Sequence, residues 1–246
     1  MRIDLNADLG EGCDDDEGIL ELVSSINVAC AWHAGSAEGM LRLVRSALRR
    51  GIAIGAHPSY ADREHFGRRE MHLLPDEVRA GLLYQIGALA AIVRAEGGEL
   101  SHVKPHGALY NQAAREPELS QCIARAIRDF DPTLKVMGLA GSLFMQAVRA
   151  QGLTAIEEGF ADRRYTADGA LAKRGTPGAL IEDVEDVLRQ VLSMVKAGTV
   201  LAQDGSVRRI QVDTLCLHGD GPHALEFARA IRGLLRDEGI EVAPPR

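Results

Sequence analysis

Short apolar runs alternate with longer helical patterns along this chain, and that alternation limits its fold more than any other feature. Seven runs read as strands, at residues 3–6, 26–30, 52–56, 102–104, 135–139, 154–157 and 212–217. Between them, helical patterns cover 38–50, 75–96, 117–130, 141–151, 177–196 and 222–238. Several open on proline, whose fixed φ and missing N–H suit a first helical turn. Strands and helices in strict alternation make parallel strands joined by crossover helices. Periodicity alone does not separate an open doubly wound sheet from a closed barrel. The polar residues do: Asp8 and Glu11, His33, His57, Lys104 and His106, Asp162 and Arg163, then His218 and Asp220 each follow a strand run. In a parallel barrel such positions converge on one face, whereas an open sheet spreads them along an edge.

The 246 residues, 46% of them hydrophobic, suffice for one barrel domain over 1–246. A net charge of −7 and a pI near 5.6 offer no clustered positive surface for nucleic acid or an anionic membrane, which favours a small-molecule substrate. The start, Met1-Arg2-Ile3-Asp4, lacks the layout of a secretory signal, and no window reads as long and apolar enough to span a bilayer. Cys13, Cys30, Cys122 and Cys216 are scattered, without a C-x-x-C pair, so the expected compartment is a reducing cytoplasm. The acidic run 14–17 reads as a solvated helix start and the tail 242–246 as a surface segment.

The chemistry concentrates in a few segments. Asn6-Ala7-Asp8-Leu9-Gly10-Glu11-Gly12 puts two carboxylates on a glycine-punctuated turn. The lone tryptophan, Trp32, precedes His33 and reads as an aromatic wall for a small ligand. His57-Pro58-Ser59-Tyr60 ends another strand, and the loop behind it carries Arg68 among several cationic donors able to clamp a carboxylate or phosphate. Lys104 is one of four lysines in a chain otherwise furnished with arginine, and His106 follows two residues later. A long polar loop holds Asp162, Arg163, Asp168 and Arg174, and the last strand ends in His218-Gly219-Asp220. Core packing does not ask for so many titratable groups at strand ends.

In this order the segments DLNADLGEG, NVACAWHAG, GAHPSY with FGRR, VKPHGALYN, FADRRYTADGAL and CLHGD resemble the LamB/YcsF family, the A component of ATP-dependent 5-oxoprolinase. The resemblance runs from Asp4 to Asp220. It implies an incomplete seven-stranded parallel (β/α) barrel of the glycoside hydrolase/deacetylase type, and hydrolytic opening of 5-oxo-L-proline to L-glutamate. ATP would be a co-substrate of a complex in which partner subunits B and C activate the lactam; a homo-oligomer is also allowed. The expected catalytic residues are Asp8, His57, Lys104 and His106, with Asp8 or His57 as base on water and His106 or Lys104 as proton donor. Glu11, His33, Arg68, Asp162, Arg163, Arg174, His218 and Asp220 would bind substrate. A second reading takes Asp8, His33 and His57 as ligands of a divalent metal in a deacetylase or amidohydrolase. A third gives the chain only a lactam-binding role without catalysis. No lysine is preceded by glycine and followed by Ser or Thr, so the chain shows no P-loop.

Overall fold

Strand β1 (Arg2–Leu9) shows how the sequence builds this molecule, in a computed structural model that describes residues 1–12, 15–218 and 224–245, the side chain of His218 excepted. Successive strand side chains point to opposite faces. Leu5, Ala7 and Leu9 join the apolar layer, while Asp4, Asn6 and Asp8, also buried, take the other face. There they bond to residues of distant strands, so this second face is the barrel interior. The alternation Ile-Asp-Leu-Asn-Ala-Asp-Leu therefore belongs to one long strand. Asp8 sits within that strand rather than on the following turn, which begins only at Gly10.

After β1 come α1 (Asp16–Leu20), β2 (Ser25–Ala29), α2 (Ala37–Arg50), β3 (Ala53–His57), α3 (Pro75–Ala95), β4 (His102–Val103), α4 (Gly107–Arg115) and α5 (Pro117–Phe130). The chain continues through β5 (Lys135–Leu139), α6 (Leu143–Ala150), β6 (Thr154–Phe160), α7 (Val184–Leu192), β7 (Thr199–Leu201), β8 (Val207–Arg209), β9 (Thr214–His218), α8 (Ala224–Asp237) and β10 (Glu241–Val242). Strands β1 to β6 and then β9 pair in parallel, and β9 pairs back onto β1, with Asp4 opposite Thr214 and Asp8 opposite His218. This closes a seven-stranded barrel with helices outside, as expected. Each Leu or Ile packed between barrel and helices contributes about 1.5–3 kcal/mol by leaving water.

The seven expected strands are all present, and several details differ. Helix α4 falls where the sequence showed no helical pattern. Residues 177–183 are not helical; α7 starts after Asp183, whose Oδ1 accepts the Asp186 N–H. The tail is not loose: β10 pairs in parallel with β1, and Arg2 and Lys135 donate to the carbonyls of Pro244 and Pro245. Helix α3 does have the length and hydropathy of a bilayer span, contrary to expectation. Its apolar stripe, Val78, Leu82, Ile86, Leu89 and Val93, is buried in the barrel's helical layer. Cys30, Cys122 and Cys216 are free thiols.

Candidate active site

Much of the barrel interior is polar. Asp4 accepts from Ser24, Ser25 and Thr214 at 2.7, 2.8 and 2.5 Å. Burial raises its pKa against the pull of these hydroxyls. Asn6 donates to Glu158 and Thr214 and accepts from Asn27, which also donates to Asp8 Oδ1 at 2.8 Å. These groups thus exchange their lost water for protein partners, as burial requires.

Lys104, 2% exposed, stands at the centre of this network. Its Nζ lies 2.9 Å from Asp8 Oδ1 and 2.7 Å from Glu158 Oε1, and donates also to Asn6 Oδ1. Glu158 Oε2 accepts from Tyr110 Oη at 2.7 Å. Burial works against the ammonium, but Asp8 and Glu158 outweigh it and hold the lysine well above its usual pKa. Cys216 Sγ is 3.1 Å from Nζ; burial pushes the thiol well up, so it remains neutral.

Toward the carboxyl ends of the strands, three histidines gather around Glu11. Glu11 Oε1 is 2.8 Å from His33 Nε2, 3.2 Å from His106 Nδ1 and 3.7 Å from His57 Nε2. The His33 and His106 rings stack with centroids 3.8 Å apart. His57 Nδ1 donates to the Lys104 carbonyl at 2.7 Å, and His106 Nε2 to the Phe66 carbonyl at 2.8 Å. In the neutral rings these bonds leave His57 Nε2 and His106 Nδ1 bare, yet the two atoms are 3.0 Å apart. Two lone pairs at that distance repel unless a proton or a cation sits between them. Although burial opposes its charge, Asp8 and Glu11 raise the pKa of His57, which favours a proton there. Burial pushes His33 down to about 4 and also lowers His106. Glu11 stays ionised: against its burial, the surrounding His106, His33 and His57 hold it well below the usual carboxylate range.

The backbone around this centre leaves no room for side chains. A Cβ on Gly67 (φ +64°) would stand 2.9 Å from both His106 Cδ2 and His33 Cβ; one on Gly107 (φ +55°) would stand 2.5 Å from the Gly67 carbonyl oxygen. Phe66 itself holds φ 55°, a costly value for an aromatic residue. That turn aims its carbonyl at His106 and packs its ring edge-on against His33 and His106.

Above the centre opens a cavity of about 1000 Å³ lined by Asp8, Glu11, His57, Lys104 and His106. Arg68, Arg163 and Arg174 line it further out. All four expected catalytic residues therefore share one cavity with Glu11, while His33 lies behind it, bonded to Glu11. Asp162 is half-buried and does not line the wall. Asp220 and the side chain of His218 lie outside the described residues. Trp32 is no ligand wall: it stacks on Tyr84 with centroids 5.8 Å apart and packs over Gly81 of α3. Sequence reasoning missed Glu158, Asn6, Asn27 and Tyr110. The loop after β6 is ordered by Tyr165, whose Oη accepts the Phe160 N–H, and by Gln190, which donates to the carbonyls of Phe160, Ala161 and Arg163.

Glu11, His33, His57 and His106 each offer one ligand atom, all within 4.8 Å of one another. Carboxylate and imidazole donors suit a first-row divalent ion. His57 and His106 each donate their other ring nitrogen to a carbonyl, the outer support metal-bound histidines usually have. His33 lacks it, its Nδ1 being buried without a partner. The set fits a metal, with Glu11 and His106 joining the expected His33 and His57, while Asp8 gives Oδ1 to Lys104 and keeps Oδ2 3.4 Å from His57 Nε2.

Fold and site together define a seven-stranded α/β barrel with a histidine–carboxylate centre at its carboxyl-terminal mouth. The chain belongs to the LamB/YcsF family, whose profile matches residues 3–246. It is 46% identical to the lactam utilization protein of Thermus thermophilus, with a TM-score of 0.92 and 99% of each chain covered. At 13% identity and a TM-score of 0.60 it shares its fold with a candidate cellobiose-phosphate cleavage protein of Enterococcus faecalis, covering 98% of this chain and 96% of that one. The polysaccharide deacetylase Bc1974 of Bacillus cereus shares the fold at 12% identity and a TM-score of 0.53, covering 100% and 93%.

Proposed function

We propose that this chain is the lactam-opening component of an ATP-dependent 5-oxoprolinase, working with two partner subunits that phosphorylate the lactam oxygen. The observation that carries the reading is Glu11 beside the closely opposed His57 and His106 nitrogens, 3.2 Å from that of His106 and with the two 3.0 Å apart, in one cavity, within the fold of a lactam utilization protein. Amide resonance makes an unactivated lactam a poor electrophile, and phosphorylation of its oxygen removes that resistance. As water adds to the ring carbon its proton passes to the histidine pair, and ionised Glu11 stabilises the positive charge the pair gains. The His57–His106 pair gives a proton to the ring nitrogen as the C–N bond breaks, leaving an acyl phosphate. A second water then releases phosphate and the side-chain carboxylate of glutamate. Lys104 is held as an ammonium by Asp8 and Glu158, which suits it to fixing Asp8 and its charge rather than to donating a proton. This division of labour predicts that the chain alone shows neither 5-oxoproline-stimulated ATPase nor glutamate formation, and that both arise when the partners are added. Glutamate formation from ATP and 5-oxoproline by the chain alone would overturn it.

The convergence of donors at Glu11 favours a second reading, in which the same centre holds a divalent ion. Bound there by Glu11, His33, His57 and His106, such an ion would polarise the carbonyl and acidify water. Calorimetric titration of chelator-treated chain with Zn²⁺ is then expected to show one site per chain, lost in Glu11→Gln. No saturable binding would leave a proton as what joins His57 to His106.

A further inference from the structure

The cavity is larger, and its outer wall more cationic, than a lactam acid needs. Its volume of about 1000 Å³ is at the top of the range for pockets that enclose drug-sized ligands, several-fold more than a five-membered ring with one carboxylate fills. Beyond the histidine centre the wall carries Arg68, Arg163, Lys173, Arg174, Arg208 and Arg209, against the carboxylates of Glu70 and Asp168. Arg208 and Arg209 belong to β8, whose antiparallel pairing with β7 forms an arm outside the barrel ring.

Arg163 is the anchor of this region. It is 5% exposed, it donates to the Ala172 carbonyl at 2.5 Å, and its Nε is buried without a partner. Burial pushes its pKa down to about 10, and the neighbouring Arg174 adds to that lowering against the pull of Asp162. A buried guanidinium with an unmet donor is costly, and an anion in the cavity that Arg163 lines would offset that cost. Its backbone is pinned by Gln190, which accounts for how it is held but leaves the unmet donor unexplained.

We infer that Arg163 and Arg174, with Arg208 and Arg209 of the β7–β8 arm, form a separate subsite in the outer cavity for a multiply charged phosphoryl group. A single carboxylate neutralises one guanidinium; a phosphoryl dianion offers three oxygens to several forks at once. The inference deepens the lactam-opening reading and rests on it for the ligand's remainder, because an activated lactam would carry such a group. It also makes these arginines the residues that distinguish an activated substrate from the free lactam acid.

The test is calorimetric titration of the full chain with inorganic phosphate, pyrophosphate and succinate. Phosphate and pyrophosphate are expected to bind once per chain and more tightly than succinate, with Arg163→Gln weakening both by about tenfold or more. Because Arg163 is buried and its loss can disturb folding, the doubly substituted Arg208→Ser, Arg209→Ser chain provides a second probe. Those two side chains are exposed, and their loss is expected to weaken pyrophosphate by about threefold to tenfold without lowering Tm. Absence of phosphate binding, binding indifferent to both variants, or succinate binding as tight and as sensitive as phosphate would each overturn the subsite. If phosphate binds as expected but the complete three-subunit mixture opens no lactam, the subsite stands and the lactam reading falls.

Discussion

Glu11→Gln is expected to lower glutamate formation by the complete system by about 10²–10⁴-fold, with Tm moving by only about 4 °C or less. The substitution keeps the side chain's shape but removes the negative charge that three histidines share. Glu11 is held ionised although burial opposes its charge, and no other carboxylate lies within hydrogen-bond distance of both His33 and His106 among the described residues. The loss should fall on kcat, because the group acts as bonds change rather than as ligand binds. A Glu11→Gln chain that folds normally and turns over within a factor of a few of the wild type would remove Glu11 from the chemistry.

Lys104→Met carries the largest expected effect on stability. Methionine fits the space but leaves Asp8 and Glu158 in the barrel interior without the ammonium they share. Removing one partner of a buried ion pair typically costs about 3–5 kcal/mol, which for a chain of this length lowers Tm by roughly 6–20 °C. Differential scanning calorimetry reads this directly. An unchanged Tm would mean that the two carboxylates pass their charge to protons at no cost, and that the lysine serves chemistry alone.

The sequence displays the barrel well, because strand runs, helix starts and strand-end polar residues are local signals. The strand-end rule finds Asp8, Glu11, His57, Lys104 and His106, which the structure gathers in one cavity. It fails where the signal is not local. Glu158 lies inside β6, next to a second glutamate, and nothing nearby shows that one turns to Lys104 while Glu157 turns to Arg149. Asn6 and Asn27 escape notice because barrel interiors are usually filled by branched apolar side chains; the period-2 alternation of residues 3–9 is the available clue. Trp32 misleads because an aromatic beside a histidine carries no direction, and here it turns outward to Tyr84. The β7–β8 arm escapes detection because its short strands, one of them fully exposed, lack an apolar pattern. With it go Arg208 and Arg209.

The measurement closest to the central claim is the ratio of glutamate formed to ATP consumed when both partner subunits are supplied with wild-type chain, with Glu11→Gln chain, or with neither. Lactam opening in this chain's cavity predicts parity for the wild type. For the variant, and for the partners alone, it predicts that ATP is still consumed with 5-oxoproline present while little glutamate appears. Glutamate and ADP falling together in the variant, or a ratio that the variant leaves at parity, would contradict the assignment of ring opening to this site.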